Sequence, residues 1–179
     1  MEQRQLIMNW ENDGTIKELQ VGEDLKIVNL NQLDGAVNFW LDIVQDISGG
    51  VKDYEYYKLA MFSYPTYDAN YCFFVQYKGV PVATITLIFD YEKLHGYVHM
   101  VACKKEYRGL NIGNLLARIA EYYLKKAGMK TAHLTTDDWR LPAIKTYLNV
   151  GFKPDVSDDE YKMRWEKVMF QINNYNKKA

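Results

Sequence analysis

The sequence predicts an α/β (α+β) fold in which a mixed, mostly antiparallel sheet is crossed by helices. Three observations carry this. Residues 71–77 and 81–89 are β-branched and aromatic runs separated by Lys78-Gly79-Val80, the spacing of a hairpin whose glycine takes a positive φ. Ile112, Leu115, Leu116, Ile119, Ala120, Tyr123 and Leu124 recur on one helical face. That helix lies between two strand-like runs, 97–103 and 130–136, so the chain leaves the sheet and returns to it.

Taken in order, residues 1–24 read as an N-terminal extension or an extra strand, followed by a core of about 25–170, within one domain of 179 residues. The run 25–30 (LKIVNL) is strand-like, and Leu33, Ala36, Val37, Trp40, Leu41 and Val44 then recur at helical spacing until Gly49-Gly50. Tyr54, Tyr56, Tyr57, Phe62, Tyr64 and Tyr67 crowd the next stretch, which is helical at first and irregular around Pro65. After the hairpin and the strand 97–103, the long helix closes on Lys125 and Lys126, favoured at the negative end of its dipole, and on Gly128, which can take the left-handed conformation. A strand at 130–136, a short helix near 140–149 and an alternating strand at 161–166 complete the chain. In that last run Tyr161, Met163 and Trp165 alternate with Lys162, Arg164 and Glu166. The total is about six to seven strands and about four helices.

Composition excludes several classes. With 48% hydrophobic and 25% charged residues the chain is an ordinary globular one, and no stretch approaches the roughly 18 apolar residues of a membrane span. The first twenty residues scatter charges among short apolar groups, unlike a secretory signal. A net charge of -1, with no run of five lysines or arginines, disfavours nucleic acid. Cys72 and Cys103 are too few for a zinc cluster and too far apart for a redox pair, and read as free thiols of a cytoplasmic protein. No metal is expected.

The strand 97–103 runs through 104–107 into Arg108-Gly109-Leu110-Asn111-Ile112-Gly113-Asn114, which opens the long helix. Backbone N–H groups at a helix start have no partner one turn back and point outward with the positive end of the dipole, so they can hold a phosphate. Taken alone, Gly109 and Gly113 serve a tight turn nearly as well. About thirty residues on stand Arg140, Ala143, Tyr147 and Gly151-Phe152.

Together these segments resemble the GNAT N-acetyltransferase superfamily. Its CoA-binding motif reads Q/R-x-x-G-x-G/A, matched by Arg108 and Gly113 with Asn111 in place of the middle glycine. Asparagine enters left-handed conformations at modest cost, so the loop can keep its shape. The family's N-x-x-A-x-x-x-Y-x-x-x-G-F pattern is matched by Ala143, Tyr147, Gly151 and Phe152, with Arg140 in first position. The resemblance implies a GNAT-like central sheet and binding of acetyl-CoA as co-substrate. The residues it implies are the strand segment Val101, Ala102 and Cys103, the loop residues Arg108, Gly109, Leu110, Asn111, Ile112, Gly113 and Asn114, and Arg140 and Ala143.

It further implies direct transfer of the acetyl group to a primary amine of a small molecule or peptide. Tyr147 falls on the tyrosine that in many members protonates the departing thiolate, the alternative being a packed aromatic. His99 corresponds to a strand histidine of serotonin N-acetyltransferase and can take the amine's proton directly or through water, the alternative being a structural histidine. Tyr97 lies on the same face by strand alternation. Cys103 invites an acetyl-enzyme, but its place on the strand suits a small buried hydrophobe better. His95 and His133 read as surface or packing residues. The expected partners are the amine acceptor and, in assembly, a possible homodimer, with no nucleic acid and no membrane. A non-catalytic acyl-CoA-binding or sensing module of the same fold is the competing class, permitted by Asn111 and Arg140.

Overall fold

The computed structural model describes residues 4–45, 47 and 51–175, so Gly49-Gly50 lies outside the described residues. Seven strands form one sheet: β1 (Leu6–Glu11), β2 (Leu25–Asn29), β3 (Cys72–Tyr77), β4 (Val80–Asp90), β5 (His95–Cys103), β6 (Thr131–Thr136) and β7 (Lys153–Pro154), in the order β2-β3-β4-β5-β6-β1-β7. Among these, only β5 and β6 pair in parallel. Five α-helices accompany them: α1 (Ala36–Val44), α2 (Tyr54–Phe62), α3 (Ile112–Lys126), α4 (Leu141–Asn149) and α5 (Asp159–Tyr175).

Two faces of the sheet bury separate clusters. On one, Leu6, Met8, Trp10, Ile85, Leu87, Val98 and Leu134 meet Leu116, Ile119 and Leu124 of α3, Ile144 of α4, and Trp165 and Val168 of α5. On the other, Trp40 and Ile43 of α1 and Tyr57 and Met61 of α2 cover Val28, Phe74 and Ala102. The hairpin between β3 and β4 turns at Lys78 (φ 49) and Gly79 (φ 84), the left-handed pair that matches strand twist. α3 ends as expected, with Gly128 at φ 73.

One expectation needs correction. Residues 161–166 belong to a helix: Tyr161, Trp165, Val168 and Ile172 are buried at steps of four and three residues, whereas Met163 is 58% exposed. The apparent alternation is one turn of that longer pattern, and it raises the helix count to five. Of the two readings of residues 1–24, the extra strand is the one observed, and it is interior: Leu6, Met8 and Trp10 all point into the core while β1 pairs with β6 on one side and β7 on the other. Lys125 also does more than offset a helix dipole. Its ammonium is buried against Asp13 (2.8 Å), Glu121 (2.7 Å) and the Thr15 carbonyl (2.7 Å), fastening the 12–24 connection to α3. No helix of the described residues is long and apolar enough to cross a membrane.

Candidate active site

The site begins where two strands part. β5 and β6 pair from His95↔Thr131 only to Val98↔Leu134, although β5 continues to Cys103 and β6 to Thr136. At the same level β5 slips against β4, with Thr86 opposite His99 but Thr84 opposite Ala102, and Met100 takes a left-handed φ of 49. A non-glycine residue in that region marks a bulge, which turns the strand and increases its local twist. Val101 and Cys103 are partly buried at the diverging end, and Ala102 is buried toward α1 and α2. The thiol of Cys103 is held above its ordinary pKa by burial and donates to the Lys104 carbonyl, a poor arrangement for a nucleophile.

The loop 108–114 joins that end to α3. Gly109 takes φ 87 and Asn111 φ 62, so asparagine does adopt the left-handed conformation its place in the loop requires. Its side-chain carbonyl accepts from the Asn114 amide. The first intrahelical bond of α3 runs from the Leu115 N–H to the Asn111 carbonyl at 3.3 Å, and the N–H groups of Ile112, Gly113 and Asn114 have no carbonyl one turn back to bond. A Cβ at Gly113 would meet only Thr146 Cγ2, at 3.6 Å. The backbone is therefore open to a large anion, which fits the pyrophosphate of a CoA ester. Arg108 is exposed and donates to the Cys103 carbonyl at 3.4 Å, Leu110 is exposed, and Ile112 sends its side chain into the core.

α4 starts at the C-terminal end of β6, on the same side of the sheet as the start of α3. Ala143 is half-buried, its carbonyl accepting from Thr146. Tyr147 is 6% exposed and packs edge-on against Phe152. No described residue hydrogen-bonds its hydroxyl. Burial pushes the phenol up to about 12, with the Arg140 charge pulling the other way.

On the α1–α2 side, the Nε2–H of His99 donates to the Ala60 carbonyl at 2.9 Å. Burial lowers this imidazole to about 4 and the bond to Ala60 partly offsets it, so the ring is neutral near pH 7. Tyr97 does share its face, with ring centroids 5.0 Å apart.

Three more side chains join this cluster, and of these sequence reading missed the pair His95 and His133. Tyr64, from the crowded aromatic stretch, packs at a tilt against His99 at 4.9 Å and Tyr97 at 5.5 Å between ring centroids, whereas Tyr57 and Tyr67 join hydroxyls in the core at 3.0 Å. His95 and His133 are partners, Nε2 to Nδ1 at 2.7 Å, and His133 lies flat against Tyr97 at 4.5 Å. The Pro65 break hinted at the first, but the histidine pair needs the parallel register. Among the described residues no three histidine, cysteine or acidic side chains are grouped to hold a metal.

Residues 37–152 match the model of the acetyltransferase (GNAT) family. The chain belongs to that family. A search of curated proteins gives no match in sequence. Among solved structures, the fold is similar to a GCN5-related N-acetyltransferase from Sphaerobacter thermophilus, at TM-score 0.68 and 17% identity over 85% of this chain and 50% of that one. It is also similar to Arabidopsis thaliana Naa50 in complex with a bisubstrate analogue, CoA-Ac-MVNAL, at TM-score 0.56 and 18% identity over 73% of this chain and 83% of that one. A third is the ribosomal-protein-S18-alanine N-acetyltransferase from Escherichia coli, at TM-score 0.56 and 16% identity over 72% and 77% of the two chains. The chain spans half the length of the Sphaerobacter protein, and 55% of a GCN5-related relative from Kribbella flavida. At these identities the likeness establishes the fold of a GNAT acetyltransferase.

Proposed function

We propose that this chain transfers an acetyl group from acetyl-CoA to a primary amine of a small molecule or peptide, directly, within a ternary complex in the cytoplasm. The observation that carries this is the parting of β5 and β6 after Val98 and Leu134, beside a loop whose helix-start N–H groups are open. Backbone groups of Val101, Ala102 and Cys103 would hold the pantetheine arm, and 108–114 with Ala143 the phosphates. The bisubstrate analogue CoA-Ac-MVNAL bound by Naa50, a protein of the same fold, supports CoA and an amine acceptor occupying the site together.

In the reaction the neutral amine attacks the thioester carbonyl carbon, forming C–N as C–S breaks. The carbonyl oxygen gains charge, which a β5 N–H is suited to stabilise. Nδ1 of His99, the unprotonated nitrogen because Nε2–H donates to Ala60, takes the ammonium proton directly or through water. The Tyr147 hydroxyl donates to the leaving thiolate. Calorimetry with acetyl-CoA, followed by an acetylation assay over amino acids, polyamines, aminoglycosides and peptide N-termini, tests the reading. Absence of acetyl-CoA binding removes it, and binding without transfer to any amine favours a sensing module.

A further inference from the structure

Arg140 stands where the family pattern has asparagine, and its guanidinium does something its place in that pattern does not explain. Nη2 donates to the main-chain carbonyl of Ile47 at 2.9 Å. Nε is buried and lies 3.2 Å from the Asp137 carboxylate without the alignment of a hydrogen bond. The two ends of this contact belong to different halves of the molecule. Ile47 packs with the cluster of Trp40, Tyr57 and Phe74, beneath α1 and α2 on the β2–β5 side. Arg140 opens α4, which packs against α3 and α5 beyond β6. Between those halves the sheet pairs only as far as Val98↔Leu134. Arg140 therefore spans the open end of the split.

The unit it reaches is already tied to the reaction side. Gln45, just after α1, donates to the carbonyl of Lys52, just before α2, at 2.9 Å, and the Ala60 carbonyl of α2 accepts from His99. A bond from a charged donor to a carbonyl is about twice as strong as a neutral one, and its fixed guanidinium plane holds a direction that a single flexible amine holds less well.

We propose that Arg140 is a positioning residue for the acceptor side: by its bond to the Ile47 carbonyl it holds the α1–α2 side of the molecule against the start of α4 and sets the opening through which the amine reaches the split. This rests on the acetyltransferase reading for its kinetic consequence but not for its structural one. The Arg140 charge also faces Tyr147 and favours its deprotonated form, so the substitution reaches the donor side only through that weaker influence.

The test compares the full chain with Arg140→Met and Arg140→Lys. Hydrogen exchange in Arg140→Met is expected to quicken at residues 51–62 while the amides of α3 keep their protection, and Arg140→Lys is expected to restore part of it. In steady-state assays with an alanine-initiated hexapeptide and with spermidine as probe amines, Arg140→Met is expected to raise the acceptor KM about tenfold, with the acetyl-CoA KM within about twofold of wild type. Unchanged exchange at 51–62 overturns the proposal, and so does a raised acetyl-CoA KM with an unchanged acceptor KM, which would make Arg140 a donor ligand. Should the wild type bind no acetyl-CoA, the acetyltransferase reading falls and the exchange comparison alone decides the strut.

Discussion

The Nε2–H of His99 donates to the carbonyl of Ala60, which leaves Nδ1 as the only basic nitrogen of a partly buried ring. Folding therefore holds this histidine neutral to about pH 4, whereas in the unfolded chain it protonates near 6.5. Between those values the unfolded state binds the extra proton, so stability falls as pH drops from 6.5 toward 4. Burial lowers His95 and His133 as well, and they add in the same direction. Urea midpoints should decline from pH 7.5 to 5, with a shallower slope in His99→Phe. A midpoint that is flat or rises toward pH 5 would contradict the assignment.

The same lowered pKa governs the rate profile. If His99 accepts the amine's proton, the acid limb of kcat should lie well below 6.5, close to the pH at which the fold itself weakens. A limb at 6.5 that survives His99→Asn would place the base elsewhere.

Tyr147→Phe removes a hydroxyl that no described residue bonds, so its stability cost should be small. As the proposed proton donor, however, its loss should lower kcat about 10²-fold or more, with acetyl-CoA affinity within about twofold of wild type. Isothermal titration beside steady-state kinetics separates the two effects. Wild-type turnover would reduce Tyr147 to packing against Phe152.

Gly113→Val tests the anion site. A Cβ there meets only Thr146 Cγ2 at 3.6 Å, so the chain should fold with a nearly unchanged Tm. The valine branches would stand where the phosphates are expected, and acetyl-CoA binding should weaken about tenfold. Undiminished affinity in a folded variant would move the phosphates away from 108–114.

Gly96 is glycine for a different reason. A Cβ added there lies 2.2 Å from Leu124 Cδ2 and 3.4 Å from Ala132 Cβ, where α3 crosses β5. Gly96→Ala should cost about 1–3 kcal/mol by overpacking. Leu124→Ala should recover part of that in the double variant, because neighbours sharing one space do not act additively. Purely additive losses in chemical denaturation would mean the strain is backbone strain.

Much of this was legible in the chain because the relevant signals are local. The periodicity of α3, the Lys78-Gly79 turn and the left-handed demand at Asn111 each depend on a few consecutive residues. α5 was misread because the six residues 161–166 alternate by accident, and only the wider spacing out to Ile172 reveals the helix. The partners of His99, His133 and Arg140 were invisible for another reason. Ala60, His95 and Ile47 lie 39, 38 and 93 residues away, and two of the three contacts are to main-chain carbonyls, which carry no side-chain signature.

β1 leaves the ribosome well before its two neighbours, β6 and β7, which are made more than a hundred residues later, since Leu6 faces Thr136 and Met8 faces Pro154. During synthesis Leu6, Met8 and Trp10 thus wait as an apolar segment without a groove to fill. Closing so long a loop is costly in chain entropy and slow. The middle of the β6-β1-β7 end of the sheet is consequently its latest part to form, and β1 serves as the wedge that completes it.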